Sequence, residues 1–343
     1  MTVQLVRDDL LPPADPPPKR HLISIADLTR DDVTRLLATA GSFERSLERE
    51  MKKLPTLRGR TVVNLFFESS TRTSSSFELA AKRLSADVMS VKSSGSSVDK
   101  GESLKDTALT LNAYDPDVIV IRHPAVGSAG MITAWTEAHV VNAGDGMHQH
   151  PTQCLLDLYT MRAALGGLEG LHVAIVGDVL HSRVARSNIL GLRTMGAHVT
   201  LVGPPTLIPR DAAALGADVS HSMDALSGAD VVYVLRMQRE RMAPGVSYVP
   251  SLSEYAAVWG VTPARVRPSQ LVMHPGPINR GVEIAPEVAD SAASRIVDQV
   301  RAGLVVRMAV LYDLLAGPGK ADSEAALRIV SPDVVSAAGQ EVA

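Results

Sequence analysis

Short runs of apolar, mostly β-branched residues alternate along the chain with stretches of helical periodicity. Three runs, "RTVVNLFF", "DVIVIRHP" and "HVVNAGDG", lie in the first half, and four, "LHVAIVGD", "AHVTLVG", "DVVYVLRM" and "QLVMHPGP", lie in the second. Continuous Val and Ile runs separated by helices are typical of parallel strands buried on both faces. The pattern therefore predicts an α/β chain of two doubly wound domains, each with a parallel sheet flanked by helices. Ligands are expected beyond the carboxyl ends of the strands.

Three segments have the apolar spacing of helices that pack through one face. The residues with this spacing are Phe77, Ala80, Ala81 and Leu84 in the first segment, Cys154, Leu158, Met161 and Leu165 in the second, and Val297, Val300, Leu304, Met308, Leu311 and Leu315 in the third. The third segment predicts a long helix near the end of the chain that returns to the first domain.

The length of 343 residues is sufficient for two hydrophobic cores. A glycine-rich segment, "GGLEG", separates the two series of strands and marks the boundary between the domains. We predict a first domain of residues 21–150 plus 295–318 and a second domain of residues 151–294. Residues 1–20 are proline-rich and polar, and residues 319–343 lack a sustained pattern, so both are predicted to be tails, the first of them disordered.

Charge and cysteine content narrow the class of protein. A formal net charge of −3 and a pI near 6.4 give no overall attraction to nucleic acid or to an anionic membrane. No run approaches the roughly 20 apolar residues that span a bilayer, and the start of the chain carries acids and prolines where a signal peptide needs an apolar stretch. The single cysteine, Cys154, lies among leucines and is predicted to be a small buried residue. These features favour a cytoplasmic protein that binds neither nucleic acid nor membranes.

The first strand run is followed by a cluster of hydroxyl residues and one arginine. Ser70, Thr71, Arg72 and Thr73 lie where the strand is expected to give way to a helix. Backbone N–H groups, hydroxyl donors and a guanidinium then converge at a helix N-terminus, which is a favourable site for a phosphate. An ordinary Ser/Thr N-cap is the alternative interpretation.

Two further strand ends carry candidate polar residues. Arg122 ends the second run, and His150 and Gln153 follow the third at the start of a predicted helix. Between the first two runs, "SSGSSVDKGESLKD" surrounds Lys100 with serines and glycines, a composition suited to a loop that brings a cation to an anion. A surface arginine, a structural histidine and a solvated linker are the alternatives for these residues taken singly.

The second half repeats this arrangement with arginines. Arg183 follows one run, and Arg236, Gln238 and Arg241 follow another. Planar guanidinium groups suit bidentate recognition of carboxylates, and a basic exposed turn is the alternative, which is favoured for Arg239. "HPGPINRG" predicts an extended, proline-stiffened turn. The segment "GDVLHS" is not the G-x-G-x-x-G fingerprint of dinucleotide binding.

Seven segments, taken in their order along the chain, closely resemble the catalytic chains of the aspartate carbamoyltransferase family. They are "FESSTRT", "SSVDKGESLKDT", "IRHP", "NAGDGMHQHPTQ", "GDVLHSRVARS", "LRMQRER" and "HPGPINRGVEI". The resemblance extends from about residue 21 to residue 318, and the ordered set is far more specific than any one segment.

The resemblance implies an activity and a set of substrates. The carbamoyl group of carbamoyl phosphate is transferred to the amine of L-aspartate, which gives N-carbamoyl-L-aspartate and phosphate in de novo pyrimidine (UMP) biosynthesis. No metal and no organic cofactor are expected. The residue types are suited to this chemistry, because donors fixed around the carbamoyl oxygen stabilise a tetrahedral state more than the planar ground state.

The resemblance also implies a role for each site residue. The phosphate is held by Ser70, Thr71, Arg72 and Thr73, and the carbamoyl oxygen is surrounded by Thr73, Arg122 and His150. The carbamoyl NH2 group is bound by Gln153 and by the backbone of Gly276 and Pro277. The carboxylates of aspartate are held by Arg183, Arg236 and Gln238, and Glu68 bridges to Arg183 and Arg241 when the domains close.

The family is built as a trimer in which one loop enters the neighbouring subunit's site. That loop here carries Ser96 and Lys100, so we expect a homotrimer with shared active sites. A regulatory chain or a dihydroorotase is a candidate further partner. One position departs from the common family pattern, since Ser74 follows "STRT" where a basic residue is frequent, and this change bears on phosphate affinity.

Two other functions are weighed against this one. An ornithine carbamoyltransferase shares the phosphate half of the site but typically carries an "HCLP" segment, whereas this chain has "HPGP" at His274 and no cysteine there. Arg236 and Gln238 also suit a carboxylate and would repel a side-chain ammonium. A non-catalytic carbamoyltransferase-like scaffold tends to lose the charged loop or the site arginines, and both are present in this sequence.

Overall fold

The computed structural model describes residues 21–92 and 101–316, and two parallel sheets organise them. The first sheet has the order β2-β1-β3-β4, and all its pairings are parallel. Its strands are β1 (Thr61–Phe66), β2 (Asp87–Lys92), β3 (Val118–His123) and β4 (His139–Asp145). The strand order reverses at β1, so two crossover connections lead to opposite edges of the sheet, as in a doubly wound fold.

The second sheet has the order β7-β6-β5-β8-β9 and is also parallel throughout. Its strands are β5 (His172–Val176), β6 (His198–Val202), β7 (Asp218–Ser220), β8 (Val231–Val234) and β9 (Leu271–Met273). The predicted α/β architecture of two doubly wound parallel sheets is therefore confirmed.

Two strands, β2 and β7, were not predicted by the apolar pattern. The sequences "DVMSVK" and "DVS" are short and polar, and most of their residues are half-buried or exposed. Both strands lie at the edge of a sheet, where one side has no partner and charged residues are common. The seven strands that the pattern predicts are the ones with largely buried side chains.

Helices connect the strands and cover both sheets. The α-helices are α1 (Arg30–Leu47), α2 (Thr71–Arg83), α3 (Leu104–Asn112), α4 (Ser128–Ile132), α5 (Pro151–Leu165), α6 (Arg183–Thr194), α7 (Leu252–Trp259), α8 (Pro286–Ala289) and α9 (Ile296–Ala316). Short 3-10 helices occupy Ile25–Asp27, Pro55–Leu57, Ala212–Leu215, Met223–Gly228, Arg239–Arg241 and Pro263–Arg265. No α-helix within the two described ranges has the length and apolar character needed to cross a membrane.

The predicted helical segments are confirmed, with corrections at three apolar positions: Leu165 at the end of α5 is 37% exposed, and the other two lie on α9. The four apolar residues predicted for α2 are buried, and Cys154 on α5 is fully buried without a disulfide. Helix α9 packs against α1 and α2, so it returns to the first sheet as predicted. Its first two predicted apolar contacts are wrong, because Val297 and Val300 are 64% and 50% exposed.

From Ala302 onward, most residues of helix α9 are buried. Its buried residues include two that are polar, Gln299 and Arg307. Helix α5 contacts both α9 and α6, so it lies between the two sheets. The division of the chain at residue 150 stays a prediction.

Candidate active site

A cavity of about 380 Å³ lies where the loops after the strands of the two sheets meet. Its lining contains most of the residues that the sequence singles out: Ser70, Thr71, Arg72, Thr73, Arg122, His150, Gln153, Arg183, Arg236, Gln238, Arg241, Gly276 and Pro277. Glu68 contacts two of these side chains without lining the cavity. Ser96 and Lys100 lie outside the described residues.

The N-terminus of α2 opens onto this cavity. Ser70 precedes the helix with an extended backbone and makes no side-chain capping bond, and the first turn contains no acidic residue. Ser70 therefore occupies the N-cap position, but its hydroxyl does not cap the helix as an ordinary Ser N-cap would. The first-turn N–H groups have no intrahelical partner, and they carry the positive end of the helix dipole. This end of the cavity is suited to an anion.

The guanidinium of Arg72 lines the same cavity and lies against the loop that follows β9. A Cβ built on Gly276 would lie 2.6 Å from Nη1 of Arg72, and Gly276 has a φ of +68°. Both the close contact and the positive φ favour glycine at this position. The amide of Gly276 donates a 2.8 Å hydrogen bond to Nδ1 of the buried His274. The loop after β9 and the arginine at the start of α2 therefore lie in close contact.

Glu68 joins side chains from both sheets. Its Oε2 forms an ion pair with Nη2 of Arg183 and lies 3.2 Å from Nε of Arg122. Burial raises the pKa of Glu68, but Arg183, Arg122 and Arg241 outweigh it and hold the pKa below its usual value. The carboxylate is therefore ionised at neutral pH. Arg241 does not pair with it directly and instead donates to the carbonyl of His181 at 3.2 Å.

Arg183 begins α6 at the carboxyl end of β5, and its guanidinium is buried against the end of β4. A Cβ on Gly144 would lie 3.0 Å from its Nη1, and Gly144 has a φ of +121°. Nη1 of Arg183 has no hydrogen-bond partner among the described residues, although it is buried. The guanidinium therefore uses one nitrogen for Glu68 and leaves another for an acceptor in the cavity.

His150 and Gln153 lie at the start of α5, as predicted. The amide of His150 donates to Oγ of Ser187 at 2.8 Å, and its Nδ1 is buried without a partner. Burial lowers the pKa of His150 well below its usual value, and Arg122 and Arg307 lower it further. The imidazole is neutral at physiological pH and can donate one N–H to a ligand oxygen.

The loop after β8 supplies the opposite wall. Nη1 of Arg236 donates to Oε2 of Glu240 at 3.0 Å, Nη2 contacts the other carboxylate oxygen, and Nη2 also reaches Oε1 of Gln238 at 3.2 Å. The guanidinium thus already binds a carboxylate in a bidentate manner. The backbone N–H of Gln238 donates to Oδ2 of Asp178 at 2.8 Å, and Oδ1 of Asp178 accepts from Nδ1 of His181. These bonds tie the β8 loop to the turn that carries Arg183.

The lining also contains residues to which the sequence analysis assigned no role, among them the polar Glu240, His274, Gln299 and Arg307. Arg307 is buried within α9, lies 5.1 Å from the centre of the Phe77 ring, and donates to the carbonyl of Gly303. Burial lowers the pKa of Arg307 to about 10, which leaves it charged. The signal for it was present, since an arginine interrupts the apolar stretch "GLVVRMAVL".

Two family descriptions match the chain in succession. "Aspartate/ornithine carbamoyltransferase, carbamoyl-P binding domain" matches residues 20–163, and "Aspartate/ornithine carbamoyltransferase, Asp/Orn binding domain" matches residues 169–314. Together they span most of the chain, including every lining residue of the cavity.

Named relatives are similar over most of their own length. The aspartate carbamoyltransferase catalytic subunit of Salinispora arenicola is 60% identical over 305 residues, which cover 87% of this chain and 98% of that protein. The corresponding subunit of Mycobacterium bovis is 54% identical over 317 residues, which cover 90% of this chain and 99% of that protein.

Solved structures agree with the fold. Aspartate transcarbamoylase from Trypanosoma cruzi, in complex with carbamoyl phosphate and aspartate, superposes with a TM-score of 0.79 at 32% identity, covering 87% of this chain and 97% of that one. The catalytic subunit of M. jannaschii aspartate transcarbamoylase gives a TM-score of 0.76 at 35% identity, covering 88% and 99%.

Proposed function

The chain belongs to the aspartate/ornithine carbamoyltransferase family, and we propose that it transfers the carbamoyl group of carbamoyl phosphate to L-aspartate. The amine of aspartate forms a C–N bond to the carbamoyl carbon, the C–O bond to phosphate breaks, and the amine releases a proton. The products are N-carbamoyl-L-aspartate and phosphate, and the activity has its place in pyrimidine biosynthesis.

One observation carries this proposal: a single cavity has one wall suited to a phosphate and another suited to a carboxylate. The uncapped start of α2 and Arg72 form the first wall, and Arg236 with Gln238 forms the second. A phosphate on one wall and an aspartate on the other would bring the amine close to the carbamoyl carbon. Holding two reactants in this way removes most of the entropic cost of their encounter.

The carbamoyl oxygen is expected to lie between the two walls, near Thr73, Arg122 and His150. Negative charge grows on this oxygen as the amine attacks, and fixed donors stabilise that charge more than they stabilise the ground state. Thr73 and His150 are buried, and Arg122 is held by Glu68, so little reorganisation accompanies the reaction. A neutral His150 donates a hydrogen bond without adding a further cation to the arginine cluster.

The carboxylates of aspartate are assigned to Arg183, Arg236 and Gln238. Nη1 of Arg183 has no protein partner within the described chain, and Arg236 already holds the carboxylate of Glu240 in the geometry that a substrate would need. An ornithine side chain would instead bring an ammonium group into a region that Arg236 and Arg241 make positive. The charge of this wall favours L-aspartate over L-ornithine.

The direct test is turnover by the purified chain with carbamoyl phosphate and either L-aspartate or L-ornithine. Formation of N-carbamoyl-L-aspartate with L-aspartate alone is the expected result. Turnover with L-ornithine alone would overturn the assignment of the second wall, and no turnover with either amine would favour a non-catalytic scaffold.

The active assembly is proposed to be a cytoplasmic homotrimer in which each site receives Ser96 and Lys100 from a neighbouring subunit. Apolar side chains that remain exposed on the first domain, Leu79, Tyr114 and Met131, are available for subunit contacts. A regulatory chain or a dihydroorotase remains the candidate for a further partner. The role of Ser96 and Lys100 in a neighbouring subunit's site rests on the family resemblance.

Sharing of the sites is tested by mixing two inactive chains, Arg72→Ala and Lys100→Ala. Mixed trimers contain some sites with neither substitution if the sites are shared, so activity should reappear on mixing. Sites contained within one subunit would give no recovery, and a light-scattering mass other than that of a trimer would reject the assembly.

A further inference from the structure

Asp157 is a buried carboxylate one helical turn after Gln153, and the sequence did not single it out. It is 1% exposed and accepts four side-chain hydrogen bonds. Oδ1 accepts from Nε2 of Gln153 at 3.0 Å and from Nε2 of Gln299 at 2.8 Å. Oδ2 accepts from Nδ2 of Asn188 at 2.9 Å and from the hydroxyl of Tyr233 at 2.6 Å. The two oxygens therefore serve different groups of side chains.

The bond from Gln153 decides which end of its amide faces the cavity. An ionised carboxylate can only accept, so the amide nitrogen of Gln153 must point to Asp157. Gln153 lines the cavity, and the atom left for a ligand is its amide oxygen. The opposite orientation would present N–H donors to the ligand instead.

The hydrogen bond from Gln299 to Asp157 helps to determine which backbone acceptors the loop after β9 offers. While Nε2 of Gln299 donates to Asp157, its Oε1 accepts from the amide of His274 at 2.9 Å. His274 in turn accepts from the amide of Gly276. Because the N–H groups of His274 and Gly276 are used within the protein and Pro275 and Pro277 have none, the backbone groups that residues 274–277 leave for a ligand are carbonyl oxygens.

Carbamoyl phosphate differs from other acyl phosphates in its NH2 group, which has two N–H donors and needs acceptors. We propose that Asp157 is a positioning residue: it holds Gln153 and, through Gln299, the loop at Gly276 so that the cavity offers acceptors to the carbamoyl NH2 group. The site then selects carbamoyl phosphate over acyl phosphates that carry a methyl group instead. This inference rests on the proposed function.

The test compares three ligands that share the phosphate and differ in the NH2 group: carbamoyl phosphate, acetyl phosphate and inorganic phosphate. Asp157→Leu removes both acceptor oxygens and keeps the number and branching of the side-chain heavy atoms. It should raise the KM for carbamoyl phosphate by about tenfold or more and leave the inhibition constants of acetyl phosphate and phosphate within about twofold of the wild-type values. A loss of general packing would instead weaken all three ligands.

Tyr233→Phe is the matched control, because it removes a donor to Oδ2 and leaves the Oδ1 bonds to Gln153 and Gln299 in place. It should leave the preference for carbamoyl phosphate unchanged. If Asp157→Leu does not fold, Gln299→Met provides the test, since it removes the link to His274 while keeping the carboxylate. A selective loss for carbamoyl phosphate is again expected.

Three results would overturn the inference: an equal loss for all three ligands, no loss for carbamoyl phosphate, or the same selective loss in Tyr233→Phe. These outcomes are separate from failure of the proposed function, which would appear as absence of turnover by the wild-type protein.

Discussion

The guanidinium of Arg72 rests on the backbone of Gly276, although the two residues belong to loops of different sheets. A side chain at position 276 would displace the cation that faces the start of α2. The loop after β9 therefore leaves room for a guanidinium that lines the cavity.

Gly276→Ala should weaken phosphate binding by about tenfold, because the new Cβ would lie 2.6 Å from Nη1 of Arg72. Gly281→Ala is the matched control: Gly281 also has a positive φ, +81°, but no atom lies within 4 Å of an added Cβ. Both variants incur backbone strain of about 1 to 2 kcal/mol. Inorganic phosphate inhibition measures the difference, and equal inhibition constants for the two variants would contradict the role of Gly276.

Glu68→Gln should lower kcat/KM for aspartate by about 10- to 100-fold, since it leaves the buried guanidinium of Arg183 beside Arg122 without a counterion. Steady-state kinetics with aspartate as the varied substrate measures this loss. The control is Glu78→Gln, which removes an exposed ion pair between Glu78 and Lys82 of α2 and should change kcat/KM little. Equal activity of Glu68→Gln and Glu78→Gln would show that the bridge does not contribute.

Arg236→Ala should raise the KM for L-aspartate by about 100-fold and leave phosphate inhibition unchanged, because a bidentate contact to a carboxylate is lost on one wall only. Arg239→Ala is the control, since Arg239 is exposed and does not line the cavity. Kinetics in which both substrates are varied separates the two walls. A parallel loss of phosphate binding would mean that the walls are not independent.

Asp157 makes stability depend on pH. Burial raises its pKa from 3.8 to about 6, although four donors oppose this shift. The folded protein therefore binds more protons than the unfolded chain between these two values, and the stability contributed by Asp157 falls as pH rises through this range. Relative to Asp157→Leu, the wild-type free energy of unfolding should fall by about 1 kcal/mol between pH 5 and pH 6.

Urea unfolding of both proteins across this pH range provides the measurement. Any titration that the two proteins share cancels in the comparison. A difference in unfolding free energy that does not vary with pH would place the titration of Asp157 outside this range.

Strand ends were the informative part of the sequence. Arg122, His150 and Arg183 could be located because parallel strands are apolar runs and their carboxyl ends meet at one edge of a sheet. The edge strands β2 and β7 gave no such signal, since they are short and half-exposed. Spacing also placed Val297 and Val300 on the buried face of α9, because periodicity identifies a helix but not where its packing partners begin.

The polar network behind the cavity could not be predicted for a different reason. Asp157 lies in α5 and Gln299 in α9, and the two hydrogen-bonded residues are 142 positions apart in the chain. Nothing in the local sequence shows that Gln299 and Gln153 share one carboxylate oxygen. Such pairings depend on how α5 packs against α9, which is a property of the tertiary fold.

The central claim is that one cavity holds a phosphate and an aspartate side by side. It is tested most directly by calorimetric titration with N-(phosphonacetyl)-L-aspartic acid, the compound present in one Trypanosoma cruzi structure, against phosphonoacetate and L-aspartate alone. We predict roughly one site per chain and an affinity about 100-fold or more above that of either half, because the link makes the second contact intramolecular. An affinity equal to that of phosphonoacetate would contradict the account, since the second wall would then take no part in binding.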